Sequence, residues 1–145
     1  MRHINRSALV SYDPERAFNL VDDVANYASF LPWCTESRVD SRSQHLVEAT
    51  LVLAGPGVKQ SFSTANQRFP YERIELRLLN GPFNRLDGLW TFDRLGDEGC
   101  KITLDLSFEL NNGLLDQAFG RLFGLAADRL VTAFTDQLDQ HYERL

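Results

Sequence analysis

Residues 100 to 138 read CKITLDLSFELNNGLLDQAFGRLFGLAADRLVTAFTDQL, and this stretch holds one strand pattern followed by one helix pattern. As far as Leu110, apolar residues alternate with polar or charged ones, which is typical of an antiparallel strand with one buried face. From Asn112 onward, apolar residues recur every three or four positions, which is typical of an amphipathic helix. The helical stripe consists of Leu115, Phe119, Leu122, Ala126, Leu130, Phe134 and Leu138.

The length of this helix indicates what it packs against. About thirty residues at about 1.5 Å per residue give a helix of roughly 45 Å. That is about the width of seven strands placed side by side. We therefore expect a sheet that wraps around one long C-terminal helix.

Upstream, the sequence predicts a first strand over residues 2–11 and two short helices. Asp13-Pro14-Glu15 combines a capping residue, a proline at the first helical position and an acid in the first turn, so a helix should begin at Pro14. A second short helical turn, carrying Tyr27, should end before Pro32, because proline cannot continue it.

Residues 34–110 return to a period of two, interrupted by short turns rich in glycine and proline. We count six strands there and seven in the whole chain. Short turns between successive strands favour an antiparallel meander over parallel units. The predicted fold class is α+β, a single domain over residues 1–145 in which a curved seven-stranded antiparallel sheet surrounds a long C-terminal helix. The turns are Gly55-Pro56-Gly57, Phe69-Pro70, Gly81-Pro82 and Gly96-Asp97-Glu98-Gly99.

Composition narrows the possible functions. Apolar residues form 43% of the 145 residues and aromatic residues 11%, which excludes a disordered chain. The formal charge of -5 disfavours a nonspecific polyanion binder, so we expect no DNA partner. We find no signal peptide and no apolar stretch of about 20 residues, so we expect a cytoplasmic protein. Cys34 and Cys100 lie far apart in no metal-binding spacing and are expected to be structural thiols.

Motifs for catalysis are weak in this sequence. His3, His45 and His141 fall at a chain end or in a turn, where we expect them to be exposed. No pair of carboxylates is placed to share a site, and there is no phosphate loop, nucleophile elbow or metal-ligand spacing. We therefore expect a protein that is not an enzyme. Cyclase chemistry that uses a scattered tyrosine or aspartate stays open as a minor alternative.

Two features bear on whether the interior is hollow. Gly88, Gly120 and Gly124 lie among aromatic residues, where they either open space or let two elements approach closely. Thr64 and Asn66, together with Gln60, share a strand face with Val58 and Phe62. These polar groups either orient a ligand in an apolar site or lie in solvent at an open edge.

Three segments together resemble one family, the coenzyme Q-binding START-like proteins, which also include ribosome association toxins and proteins described as oligoketide cyclases. The resemblance covers essentially the whole chain. The segments are Asp23-Val24 with Tyr27 and Phe30-Leu31-Pro32-Trp33-Cys34; Gly81-Pro82-Phe83 with Leu86, Gly88, Trp90 and Phe92; and Phe108-Glu109 with Asn112, Leu115, Phe119-Gly120 and Phe123.

This resemblance implies a helix-grip fold of the START or Bet v 1 kind, with the order β-α-α-β6-α and a tunnel. Such a tunnel can hold the tail of ubiquinone or a similar polyprenyl quinone, so that the protein acts as a lipid chaperone for respiration and touches the inner membrane peripherally. The alternative that the resemblance offers is a toxin that binds the large ribosomal subunit and blocks subunit association. The family supplies no settled catalytic residue, and we assign none.

We expect the tunnel to be lined by rings on the inward strand faces and the helix stripe, although such rings by themselves are more typical of plain core. Its mouth should lie near residues 30–33 and 120–124, where bulky apolar groups meet flexible chain. The predicted lining residues are Phe30, Trp33, Phe62, Trp90, Phe92, Phe119, Phe123 and Phe134.

A second candidate site is a basic patch on the outward face of the sheet. It would suit ribosomal RNA or anionic lipid headgroups. The alternative is an ordinary solvated surface of mixed charge. The candidate residues are Lys59, Arg73, Arg77, Arg85 and Lys101.

Overall fold

A computed structural model describes residues 1–111 and 114–142, with the side chains of the second range described from residue 117. Its framework is one sheet of seven strands in the order β1-β7-β6-β5-β4-β3-β2, and every neighbouring pair is antiparallel. This confirms the predicted count and the meander, with β1 returning to pair with β7. The strands are β1 (Arg2–Val10), β2 (Cys34–Arg42), β3 (Leu46–Gly55), β4 (Val58–Phe69), β5 (Arg73–Asn80), β6 (Phe83–Leu95) and β7 (Gly99–Leu110).

The helices follow the predicted order. Helix α1 (Pro14–Asp22) begins at the proline, and the Asp13 carboxylate accepts a hydrogen bond of 2.9 Å from the backbone N–H of Arg16. A 3-10 helix (Val24–Ser29) follows, and the long helix α2 runs over Leu114–Tyr142. The predicted helix start at Asn112 and the side chain of Leu115 lie outside the described residues.

The sheet has an inner face that packs on α2 and an outer face that points away from it. Strand β7 shows the division, because Ile102 and Phe108 are fully buried while Lys101 is exposed. The alternation in sequence thus becomes a difference in burial, as predicted. The inner face and α2 meet through edge-to-face rings, with Phe123 centred 4.9 Å from Phe83 and 4.7 Å from Phe108.

The glycines of α2 let other groups approach closely. A Cβ on Gly124 would lie 2.5 Å from a guanidinium nitrogen of Arg2, and a Cβ on Gly120 would lie 2.5 Å from a methyl group of Leu110. The Arg2 guanidinium also donates to the Gly120 carbonyl at 3.3 Å and lies 5.2 Å from the ring centre of Phe108. Of the two explanations for these glycines, close approach is therefore the one observed.

Candidate functional site

An interior cavity of about 100 Å³ lies between the inner face of the sheet and α2. Sites that enclose drug-sized ligands usually measure about 300–1,000 Å³, so side chains fill most of the expected tunnel. The lining residues are Val24, Tyr27, Leu31, Trp33, Cys34, Ala49, Leu51, Leu53, Phe62, Thr64, Asn66, Leu76, Leu86, Trp90, Leu104, Leu106, Phe123, Ala126, Ala127 and Leu130.

The predicted lining residues divide into three groups. Four of the eight line the cavity, namely Trp33, Phe62, Trp90 and Phe123. Three more are buried in the surrounding core without lining it, and the last, Phe30, is half-buried at the surface. The three core rings are Phe92, Phe119 and Phe134.

Leucines form a large part of the wall that sequence reasoning did not select. Leu51, Leu76 and Leu104 face the cavity from three different strands. All three lie at inward-facing alternate positions of their strands, as do the aromatic strand residues predicted to line the tunnel. Strand parity alone, without a preference for aromatic residues, predicts these leucines as well.

Two of the polar side chains that face the cavity, Tyr27 and Cys34, donate hydrogen bonds to backbone carbonyls. The Tyr27 hydroxyl donates to the carbonyl of Val21, and burial, reinforced by nearby carboxylates, raises the pKa of Tyr27 well above its ordinary value. The Cys34 thiol donates to the Glu36 carbonyl at 3.3 Å, and burial raises its pKa. Both groups therefore stay protonated near neutral pH. This suits side chains that form part of the cavity wall better than side chains that act as a general acid or base.

Two of the three polar residues noted on β4 do face this interior. Thr64 and Asn66 line the cavity, and the Thr64 hydroxyl donates to Asn66 Oδ1 at 2.7 Å. Gln60 is half-buried and does not line the cavity. Thr64 and Asn66 therefore face the interior of the protein, and a role in orienting a ligand stays a prediction.

A surface groove lies beside the cavity, between the segment before β2 and the second half of α2. Phe30, Pro32 and Trp33 form one wall, and α2 residues from Asp128 to Gln140 form the other. Trp33 lines both the groove and the cavity. The predicted mouth at residues 30–33 thus lies next to the interior, whereas residues 120–124 do not line the groove.

The predicted basic residues lie on the outer face among carboxylates. Arg73 binds Glu72 at 2.8 Å and Glu75 at 2.9 Å, and Arg85 binds Asp87 at 2.9 Å. The other three make no ion pair within the described residues, although carboxylates lie opposite two of them in the strand register. Arg77 lies opposite Asp87, and Lys101 lies opposite Asp93. The outer face therefore carries mixed charge, and in the described structure Lys59, Arg77 and Lys101 are its cations without an ion pair.

Other reactive groups are placed away from the cavity. His3, His45 and His141 are exposed, and His3 contacts Ser107 Oγ at 2.8 Å and Asp105 at 2.9 Å on the outer face. Cys100 is a buried free thiol, and burial raises its pKa to about 11. Within the described ranges, no three His, Cys, Asp or Glu side chains are arranged to hold a metal ion.

A sheet gripped around one long helix, with an apolar cavity between them, defines the helix-grip class of START-like proteins. A START superfamily protein from Mycobacterium smegmatis has this fold, with a TM-score of 0.77 and 19% identity, over 95% of this chain and 97% of that one. The profile of the family described as polyketide cyclase / dehydrase and lipid transport matches residues 10–135. The chain belongs to this family.

The chain is also similar to individual proteins whose names state a role. The chain is 44% identical to the ribosome association toxin RatA of Pseudomonas aeruginosa, over 97% of both chains. It is 27% identical to the coenzyme Q-binding protein COQ10 homolog B, mitochondrial, of Xenopus laevis, over 97% of this chain and 59% of that protein. Among the described helices, none is long and apolar enough to cross a membrane.

Proposed function

We propose that this protein associates with the large ribosomal subunit and hinders its joining with the small subunit. The observation that carries the proposal is the 44% identity to a ribosome association toxin over 97% of both chains. The quinone carrier expected first from the sequence takes second place. The coenzyme Q-binding relative is 27% identical to this chain, compared with 44% for the toxin. The cavity of about 100 Å³ is also small for a polyprenyl quinone.

We propose the outer face of the sheet as the surface that meets the ribosomal partner. The chain has a net charge of -5, so attraction to RNA must come from local cations. Arg77 on β5 and Lys101 on β7 are exposed cations of this face without an ion pair in the described structure. They are free to meet phosphate without first breaking a salt bridge.

Reversing both charges with Arg77→Glu and Lys101→Glu is expected to weaken co-sedimentation with purified large subunits. The slope of log affinity against log salt should fall by about two, because about one ion contact is lost per residue. Pelleting across a salt series measures both quantities.

Arg121→Glu with Arg129→Glu is the matched control, because both residues are exposed on α2 and the change in net charge is the same. Equal weakening by the two double variants would show a response to net charge alone and would contradict docking through the outer face. If the unchanged protein did not pellet with large subunits, the ribosomal role itself would be wrong.

We propose binding of a polyprenyl quinone as a second role, supported by the apolar cavity and by the coenzyme Q-binding relative. Burial of each methylene is worth about 0.8 kcal/mol relative to water, but a bilayer offers the tail the same gain. Selectivity must therefore come from the quinone headgroup and from the shape of the wall. The cavity would have to widen, and Trp33, between cavity and groove, is the side chain placed to open it.

Filling the cavity with Ala127→Phe is expected to remove quinone from protein purified out of a quinone-producing host. Ala127 is buried and lines the cavity from α2, so a phenyl ring there competes directly with a ligand. Mass spectrometry of organic extracts measures the quinone-to-protein ratio. Leu125→Phe, on the exposed side of the same helix, should keep the ratio of the unchanged protein. An unchanged protein that carries no quinone would argue against this role.

A further inference from the structure

The cavity wall contains hydrogen-bond donors without a partner, and they set a condition on any ligand. Thr64 fixes the Asn66 amide, because its hydroxyl donates to Asn66 Oδ1 at 2.7 Å. The Asn66 Nδ2 group then has no hydrogen-bond partner among the described residues, although the side chain is only 8% exposed. An amide nitrogen at a site so poor in solvent contact gains a hydrogen bond from any acceptor that reaches it.

A second donor belongs to the same wall. The Trp90 ring lines the cavity and is 3% exposed, and its indole N–H makes no hydrogen bond within the described part of the chain. No fully enclosed side-chain nitrogen or oxygen of the described residues lacks a partner, so each of these two nitrogens is at least slightly accessible. Both residues line the same cavity, and a ligand bound there lies beside both side chains.

The rest of the cavity wall disfavours ligands that carry a charge or a hydrogen-bond donor. The other polar groups, the Tyr27 hydroxyl and the Cys34 thiol, already donate to backbone carbonyls. No carboxylate or cation occurs among the described lining residues. An ion would thus lose its hydration without compensation, and a donor would meet other donors.

We propose that Asn66, with Trp90 as a second donor, forms a carbonyl-binding subsite that selects neutral, apolar molecules bearing an acceptor oxygen. The inference rests on ligand binding in the cavity, the second proposed role, and is independent of the ribosome. It specifies the ligand chemistry as an acceptor such as a ketone or the oxidised headgroup of a quinone, with an apolar body toward the leucines.

The size of the cavity suggests a probe pair. An engineered apolar cavity of about 150 Å³ binds benzene, so small rings are the appropriate scale for a cavity of about 100 Å³. Cyclopentanone carries the acceptor oxygen, and methylenecyclopentane replaces that oxygen with a CH₂ group of nearly the same shape. The difference in their affinities isolates the hydrogen bond from apolar burial.

Titration of the isotope-labelled protein followed by NMR is expected to show cyclopentanone binding about fivefold to tenfold more tightly than methylenecyclopentane. The Asn66 side-chain amide and Trp90 indole signals should shift with the ketone and much less with the hydrocarbon. In Asn66→Leu, which keeps a similar side-chain volume, the preference should disappear while the hydrocarbon still binds. Gln67→Leu, on the next residue and the opposite face of β4, should keep the preference.

Three outcomes separate the subsite from the carrier role. Selective ketone binding that Asn66→Leu abolishes supports the subsite. Equal binding of the two probes overturns the subsite and leaves a purely apolar cavity that still suits a carrier. Absence of binding by either probe overturns both the subsite and ligand binding in this cavity.

Discussion

Replacing Phe134 with alanine is expected to lower the free energy of unfolding by about 3–5 kcal/mol, the usual cost of emptying a buried phenyl site. Phe134 is fully buried on α2, and its ring centre lies 5.2 Å from Tyr27, 5.4 Å from Trp90 and 5.5 Å from Phe30. It therefore joins the helix, the sheet and the 3-10 segment in one cluster. Urea denaturation followed by fluorescence measures the change.

Phe30→Ala is the matched control, because the same ring type is removed from the same cluster at a half-buried position. We expect it to cost clearly less, since solvent can occupy much of the space it leaves. Equal costs for the two variants would show that the cluster is not centred on Phe134. Because Tyr27 and Trp90 also line the cavity, Phe134→Ala is further expected to enlarge it and to loosen the discrimination between the two small probes.

The fold could be predicted from the sequence because its determinants are local and repetitive. The alternation from Cys100 to Leu110 specifies which face of β7 is buried, and the Asp13-Pro14 cap specifies where α1 begins. The turn residues between strands exclude long crossovers, which leaves an antiparallel sheet. Each of these signals depends only on residues a few positions apart.

The cavity could be predicted only in part, because strand parity gives the direction of a side chain but not its depth along the interior. Phe62, Trp90 and Phe92 share the inward parity, yet only the first two border the cavity. The volume also depends on how closely α2 approaches, and this is set by contacts such as that of Arg2 against Gly124. No local pattern encodes a contact between chain positions so far apart.

The charge of the outer face likewise could not be predicted from local sequence patterns alone. Arg77 and Lys101 look like part of a basic strip when each strand is considered alone. The sheet register places Asp87 opposite the first and Asp93 opposite the second. Cross-strand neighbours come from distant sequence, so the local charge of a sheet face emerges only when the register is known.

An ion cluster at the end of α1 holds the N-terminal helix against the sheet. Arg68 on β4 contacts both carboxylate oxygens of Asp22, at 2.8 and 2.9 Å, and its Nη1 donates to the Gln44 carbonyl at 2.7 Å. Arg42 adds a contact of 3.3 Å to the same carboxylate. Asp22 is the last residue of α1, where the helix dipole disfavours a lone negative charge. The two arginines offset this, and the side chains of Arg68 and Asp22 are only 16% and 13% exposed.

Asp22→Ala is expected to lower the free energy of unfolding by about 3 kcal/mol, because it leaves the Arg68 charge largely buried without its partner. Asp23→Ala, at the adjacent exposed carboxylate, should change stability by less than about 0.5 kcal/mol. If the loss comes from the stranded charge, adding Arg68→Met to Asp22→Ala should cost far less than Arg68→Met alone, or even recover stability. Additive losses in this double-mutant cycle would mean that each side chain acts through separate contacts, and that the pair does not hold α1 to β4.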